Sequence, residues 1–339
     1  MRIRIDNLPH IEPTDFVGGI FPKRQLSIIA SEPGCGKTWL MLRFCNDVTN
    51  QYNYCKFLGQ SFVEKDRRCL MLIGDTGKEM IIDRINNMML KFNKPENYIF
   101  YFVADMIKEK HPFLLNTENG RGAIQGLIHQ EKPDIVFFDT LISFMTGDEN
   151  SAKEIGELFI GLRSMAEEEN CAIVLNHHFR KQNSGKGSRG KATLNDVIGS
   201  SAMSRLSSVM LALTKDRTRP DKNIVNVSTV KTWYKELPPM QFEISENSEH
   251  KVDLIPNYTM NNVLALRKML LRLNEQLPEG QIVTYHEMSV ITNSPEPMVR
   301  AALKGVVVYT PLTEDPKCDR VYVTKSRKGE SNGSNETAR

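Results

Sequence analysis

Cysteines are few and scattered in this sequence, and long apolar runs are missing. The six cysteines among 339 residues show no C-x-x-C spacing, so the sequence predicts no zinc site and favours a reducing compartment. No apolar run approaches the roughly 20 residues of a membrane-spanning helix, and the N-terminus lacks a signal-peptide pattern. We therefore expect a soluble, cytoplasmic protein that makes no membrane contact.

An excess of charge of one sign is also missing. The 44 Lys and Arg residues nearly balance the 41 Asp and Glu residues, which leaves a net charge of +3. Contact with nucleic acid must therefore come from a local basic segment rather than from the whole surface.

Strand-like and helix-like segments alternate from residue 25 to residue 215, which is typical of a parallel sheet flanked by helices. The predicted strands are 26–30, 69–74, 99–103, 135–139, 172–176 and 208–214, with later antiparallel strands at 224–231 and 240–244. The composition becomes polar after residue 245. We predict a lead-in at 1–24, a large domain at 25–245, a linker at 246–260, a small domain at 261–325 and a disordered tail at 326–339.

The segment Ser31-Glu32-Pro33-Gly34-Cys35-Gly36-Lys37-Thr38 has the pattern of a phosphate-binding loop, with Ser31 in place of the first glycine. A predicted strand precedes it and a predicted helix follows, which is the context that the motif requires. Backbone N–H groups and the helix N-terminus attract phosphate, so a turn that binds nothing is the weaker interpretation. The residues predicted to contact ATP are Pro33, Gly34, Cys35, Gly36, Lys37, Thr38 and Trp39.

Two further strands end in polar residues. Asp139 closes the apolar run 135–139, and we expect it to hold Mg²⁺ together with the Thr38 hydroxyl rather than merely cap the strand. The run 172–176 is followed by His177 and His178, at the strand end where open α/β sheets bind ligands. Two adjacent imidazoles without further ligands do not predict a metal site.

The segment 179–195 is basic and rich in glycine, and it has no acidic residue. Such a loop suits contact with the phosphates of single-stranded DNA, and a solvated mobile loop is the alternative. The basic residues are Arg180, Lys181, Lys186, Arg189 and Lys191.

Together with Asp139-Thr140-Leu141, the segment 147–150 and the segment 177–181, the phosphate loop resembles the RecA/DnaB superfamily of P-loop ATPases. Within it, the sequence is most similar to the RepA family of plasmid replicative helicases and to AAA-type relatives from phages and mobile elements. The segment 198–205 resembles that family's R-G-S-S motif, although Ile198 replaces its arginine. The resemblance covers roughly residues 10–245.

The resemblance implies roles for single residues. His177 matches the γ-phosphate-sensing position, with His178 as the second candidate. Asp75 holds the place of the glutamate that orients the attacking water, with Glu79 as the alternative; Asp75 could instead cap the following helix. Arg205 matches an arginine that faces an ATP site, and Lys231 matches a basic finger in which Trp233 replaces the second basic residue.

The C-terminal segment reads as three helices, at 261–276, 284–292 and 297–306, followed by a two-stranded ribbon within 309–323, which suggests a winged helix-turn-helix. It has no basic excess, so protein docking and weak DNA binding by Arg300 and Lys304 are equally good interpretations. The whole chain is thus expected to be α/β, with a RecA-like core whose central sheet is mostly parallel, plus a small winged-helix-like domain.

The expected function is that of an ATP- and Mg²⁺-dependent DNA helicase or translocase in the replication of a plasmid, phage or mobile element. It would form a hexameric ring on single-stranded DNA, with a primase or initiator as partner. The alternatives are a DNA-binding ATPase that does not unwind, such as a recombinase or loader, and a regulatory nucleotide switch.

Overall fold

The computed structural model divides the chain into two compact units, residues 1–58 with 63–256 and residues 59–62 with 257–339. The larger unit ends at Pro256, whereas the large domain predicted from the sequence ends at residue 245. Within them the structure describes residues 13–49, 55–57, 60–62, 67–88, 95–108, 113–148, 151–179, 194, 201–217, 221–234, 237, 240–248, 251–256, 260–292, 296–303, 309–311 and 320–323.

Nine of the described strands form a sheet at the centre of the larger unit. The strands of the unit are β1 Phe16–Val17, β2 Phe21–Pro22, β3 Leu26–Ser31, β4 Cys55–Phe57, β6 Cys69–Ile73, β7 Tyr98–Phe102, β8 Ile135–Asp139, β9 Ala172–His178, β10 Val209–Lys215, β11 Ile224–Thr232, β12 Met240–Glu246 and β13 Val252–Pro256; β5 is Gln60–Phe62 in the smaller unit. The order in the sheet is β13-β12-β11-β10-β3-β9-β8-β6-β7. The strands from β10 to β7 are parallel, and β11, β12 and β13 continue the sheet antiparallel. This confirms the predicted, mostly parallel sheet.

Helices cover both faces of the sheet. They are α1 Lys37–Thr49, α2 Lys78–Asn87, α3 Val103–Lys108, α4 Glu118–Glu131, α5 Ala152–Glu168 and α6 Ser201–Leu206, with 3-10 turns at Pro95–Asn97 and Leu141–Phe144. Because both faces are covered, every residue of β3, β6 and β8 is buried, which explains their continuous apolar sequences. None of the described helices is both long and apolar enough to cross a bilayer.

Side chains of alternating strand positions pack on opposite faces. On one face, Phe44 of α1 meets Phe21 and Phe137 edge-on, with ring centroids 5.1 and 5.8 Å away. On the other face, Phe138 and Leu175 join one apolar cluster with residues of α4, α5 and α6. The face on which a strand residue lies therefore decides whether its side chain packs against α1 or against α5 and α6.

The polar segment predicted as a linker contains β13, which pairs with β12. Strand β13 lies at one edge of the nine described strands, and its charged residue, Asp253, contacts α1. Arg43 of α1 donates to Asp47 at 2.9 and 3.0 Å and also to Asp253 of β13. The polar residues after 245 thus lie mainly between β12 and β13, whereas β13 itself is mostly apolar.

The smaller unit contains helices α7 Met260–Gln276, α8 Tyr285–Thr292 and α9 Glu296–Leu303 and strands β14 Ile282–Thr284, β15 Tyr309–Pro311 and β16 Arg320–Val323. Its described strands pair in the order β14-β16-β15, and the helices and strands follow the chain order of a winged helix-turn-helix. The guanidinium of Arg300, in the predicted recognition helix, lies 4.0 Å from the centroid of the Tyr285 ring. Lys304 lies outside the described residues.

Replacing Phe137 by alanine should lower the free energy of unfolding of the larger unit by about 3–5 kcal/mol, because a fully buried ring leaves a cavity between sheet and α1. Both tryptophans, Trp39 and Trp233, lie in this unit, so their fluorescence during urea unfolding reports its stability. The control I160A removes a side chain that is 62% exposed and should change stability by no more than about 0.5 kcal/mol. Equal effects of the two variants would contradict the packing described here.

Candidate ATP site

The carboxyl ends of four parallel strands meet at one edge of the sheet. Strand register places Ser31 of β3 beside His178 of β9 and Ile73 of β6 beside Asp139 of β8. Because β9 lies between β3 and β8, its last residues stand between the phosphate loop and Asp139. This is the edge at which open α/β sheets bind ligands.

The phosphate loop connects β3 to α1, which begins at Lys37. Gly34 and Gly36 have φ angles of 72° and 85°, a conformation that glycine adopts without strain. A Cβ atom on Gly36 would also lie 2.6 Å from Ile244 Cδ1 of β12. The loop therefore turns its backbone toward the N-terminus of α1, where N–H groups and the helix dipole favour an anion.

Lys37 is 6% exposed and is held by two side chains. Its ammonium donates to Ser31 Oγ at 2.7 Å and lies 3.4 Å from His178 Nδ1. Burial lowers the pKa of Lys37, and the Asp139 carboxylate opposes that shift. Ser31, the departure from the glycine of the motif, thus supplies an acceptor for the buried lysine, a role that the sequence did not indicate.

Asp139 is 2% exposed and both of its carboxylate oxygens accept hydrogen bonds. Thr38 Oγ1 donates to Oδ2 at 2.9 Å, and Asn176 Nδ2 donates to Oδ1. Burial raises the pKa of Asp139, whereas these two bonds and Lys37 lower it. A hydroxyl and a carboxylate in contact form the oxygen donor set that Mg²⁺ prefers, so Thr38 and Asp139 fit the predicted metal.

Asp75 follows β6 and lies at the same edge. Its backbone N–H and that of Gly74 donate to Asp139 O at 3.2 and 2.7 Å, and its Oδ2 is 4.0 Å from His178 Nε2. The N-cap of α2 is Gly77, which has no side-chain capping bond, so Asp75 does not cap this helix. Glu79 lies in the first turn of α2 and is exposed.

The two histidines face opposite sides of the sheet. His178 shares the α1 face with Asn176 and contacts Lys37. His177 is 5% exposed and, by strand alternation, shares the other face with Ile173, Leu175 and Phe179. The structure therefore brings His178, the second candidate, next to the phosphate loop, and it does not bring His177 there.

Lys231, the predicted basic finger, and Arg205, the arginine predicted to face an ATP site, differ in their surroundings. Lys231 donates to Ser204 O and Ser207 O at the end of α6, and its ammonium lies 4.6 Å from the centroid of the Trp233 ring. Burial lowers the pKa of Lys231. Arg205, on α6, is exposed. Lys231 is thus engaged within its own chain, and Arg205 is presented to solvent.

Other predicted residues add less to the site or lie outside the described residues. Trp39 stacks against the Arg84 guanidinium at 5.5 Å, and burial raises the pKa of the Cys35 thiol. Pro33 and Gly34 are exposed in the loop. The five basic residues predicted to contact DNA, and Ile198, lie outside the described residues: Arg180, Lys181, Lys186, Arg189 and Lys191.

Residues 4–184 match a family model described as an AAA domain. Similar solved structures include one described as an ATPase domain, with 17% identity and a TM-score of 0.49 over 70% of this chain and 86% of that chain. Another is "The Structure Of A DnaB-Like Replicative Helicase And Its Interactions With Primase", with 15% identity and a TM-score of 0.50 over 68% of this chain and 57% of that chain. No match was found among curated proteins.

The sheet, the phosphate loop and the Thr38–Asp139 pair define a P-loop ATPase with a RecA-like core. Because the match to the AAA domain family spans more than half of the 339 residues, the chain belongs to that family. The DnaB-like helicase chain has the same fold, and the present chain spans 57% of its length.

The burial of His177 predicts a loss of stability in mild acid. Burial, His178 and Lys37 lower the pKa of His177 to about 4, whereas an unfolded histidine titrates near 6.5. Between these values the unfolded chain binds a proton that the folded chain does not, so stability falls as pH decreases from 6.5 toward 4. From pH 7.5 to pH 5 the wild type should lose roughly 2 kcal/mol more than H177Q, measured by urea unfolding followed through tryptophan fluorescence.

H129Q is the control for this measurement, because it removes a histidine whose side chain is 76% exposed. It should keep the pH dependence of the wild type. A wild type and an H177Q variant that lose the same stability on acidification would show that His177 is not buried in its neutral form.

Proposed function

We propose that this chain is an ATP-driven DNA helicase or translocase that acts in the replication of a plasmid, phage or mobile element. The observation that supports it most is the meeting of Lys37, Thr38 and Asp139 at the carboxyl edge of a RecA-like sheet. The solved relative named as a DnaB-like replicative helicase has the same fold, which supports a related activity. The closer relation to the RepA family stays part of this proposal.

Each residue of the site has a separate task in ATP hydrolysis. The loop backbone from Pro33 to Gly36 and the N-terminus of α1 bind the phosphates, and Lys37 neutralises the outer phosphates. Thr38 and Asp139 would hold Mg²⁺, which supplies charge neutralisation at the β- and γ-phosphates when bound. Asp75 orients the attacking water, and His178, 3.4 Å from Lys37 Nζ, senses the γ-phosphate.

Coupling to DNA requires more than one subunit. In a hexameric ring, Arg205 is exposed and available to a neighbour's ATP site, whereas Lys231 would have to leave the carbonyls of Ser204 and Ser207 to reach one. The basic residues between 180 and 191 follow β9 directly and would contact single-stranded DNA through its phosphates. The solved DnaB-like relative is described as interacting with primase, and a primase or an initiator is the partner proposed here.

The substitution D75N should lower the turnover number about 100-fold or more, because it removes the carboxylate that orients water. Nucleotide affinity should stay within about threefold, since Asp75 is not expected to hold the phosphates. D75E keeps a carboxylate and should retain measurable turnover. Steady-state ATP hydrolysis and binding of a fluorescent ATP analogue measure the two effects separately.

D83N changes an exposed carboxylate on α2 and serves as the matched control, with turnover like that of the wild type. E79Q tests the alternative candidate. If E79Q abolishes turnover and D75N does not, Glu79 rather than Asp75 orients the water.

The DNA activity is tested by strand displacement on forked DNA. The wild type should displace the strand with ATP, and K37A should not, because its phosphate loop lacks the neutralising ammonium. A triple variant K186A/R189A/K191A should weaken binding of single-stranded DNA at 0.1 M salt. The slope of log affinity against log salt concentration should also become shallower, by the contribution of about three neutralised phosphates. Its ATP turnover without DNA should remain.

The rival functions give different results in the same assays. ATP turnover stimulated by single strands but without strand displacement would indicate a recombinase-like or loader-like ATPase. Nucleotide binding without stimulation by DNA would indicate a regulatory switch.

A further inference from the structure

Asn176 is a fully buried amide at the end of β9, inside the ATP site. Strands β8 and β9 are parallel, and their register pairs Phe138 with Leu175. The next residues along the two strands, Asp139 and Asn176, are therefore cross-strand neighbours on the α1 face. Sequence patterns did not single out Asn176, since it ends an apolar strand directly before two histidines.

The amide of Asn176 completes the hydrogen bonding of the Asp139 carboxylate. Asn176 Nδ2 donates to Oδ1 and Thr38 Oγ1 donates to Oδ2. With one donor on each oxygen, the carboxylate plane cannot rotate without breaking a bond. Thr38 comes from the phosphate loop and would also be a metal ligand, so Asn176 is the partner that holds Asp139 from the sheet itself.

The orientation of the Asn176 amide leaves its oxygen atom, Oδ1, buried inside the site. An ionised carboxylate only accepts hydrogen bonds, so the Nδ2 end of Asn176 must face Asp139. Its Oδ1 atom is then buried without a hydrogen-bond partner among the described residues. A buried acceptor without a partner is unfavourable, and an apolar side chain of similar size would avoid that cost. A role in packing alone therefore does not account for an asparagine here.

We infer that Asn176 is a positioning residue that orients the Asp139 carboxylate toward a divalent cation, and that its Oδ1 accepts a hydrogen bond from a water molecule bound to that cation. This inference rests on the proposed ATP site. Partners of metal ligands act in this way in other proteins, where their loss weakens metal affinity 10- to 100-fold.

The test measures binding of a fluorescent ADP analogue during a Mg²⁺ titration and, separately, in EDTA. In N176L, which matches the size of asparagine without its polar atoms, the Mg²⁺ midpoint should rise 10- to 100-fold. Affinity in EDTA should stay within about twofold, because the phosphate loop is unchanged. The urea midpoint should fall, because N176L leaves a buried oxygen of the Asp139 carboxylate without its donor.

N176A is the second variant, because it removes both polar atoms of the amide without adding charge. It should raise the Mg²⁺ midpoint, as N176L does. N226L, which changes an asparagine of β11 that is bonded to Gln241, is the matched control and should bind like the wild type. If N176L does not fold, the Mg²⁺ midpoint of N176A tests the inference.

Two results would overturn the inference: a Mg²⁺ midpoint in N176L like that of the wild type, or equal losses of affinity with Mg²⁺ and with EDTA. A wild type that binds no nucleotide in either condition would instead contradict the proposed function. The two failures are therefore distinguishable.

Discussion

The hydrogen bond between Thr38 and the buried Asp139 is the contact on which the site depends. A carboxylate that is 2% exposed is unfavourable unless donors and a nearby cation compensate for lost hydration. Thr38, Asn176 and Lys37 supply this compensation from the phosphate loop and from β9. The loop, β8 and β9 are therefore held in one arrangement by the requirement that Asp139 be satisfied.

The antiparallel end of the sheet supports that arrangement through further contacts with the loop and α1. Ile244 of β12 lies against Gly36, whose φ angle of 85° favours glycine at this turn of the loop. Asp253 of β13 pairs with Arg43, further along α1. The first helix is thus held both at its N-terminus, where phosphate would bind, and along its length. Because the anion site is made of backbone N–H groups, its quality depends on how firmly this helix is placed.

The parallel sheet could be predicted from the sequence because strands that are buried on both faces have continuous apolar sequences, as β8 does. The phosphate loop and Asp139 were also predictable from their motif and its flanks. Strand β13 was not, because its short run 252–256 follows a polar segment and ends in a proline, which together resemble a linker. The roles of Ser31 and Asn176 were hidden for another reason: each depends on a contact with a distant side chain, Lys37 or Asp139, and no spacing along the chain reveals that contact.

The two adjacent histidines show how strand geometry decides what a motif leaves open. Alignment by motif favours His177, but in a strand that ends at residue 178 the alternation places Asn176 and His178 on the α1 face. The same alternation buries His177 against the face covered by α5 and α6, where Ile173 and Leu175 join the apolar cluster. Strand β9 therefore has side chains that face the phosphate loop on one face and side chains that pack against α5 and α6 on the other. One strand thus contacts both the phosphate loop and these helices, and along the chain it leads directly into the basic segment from Arg180 to Lys191.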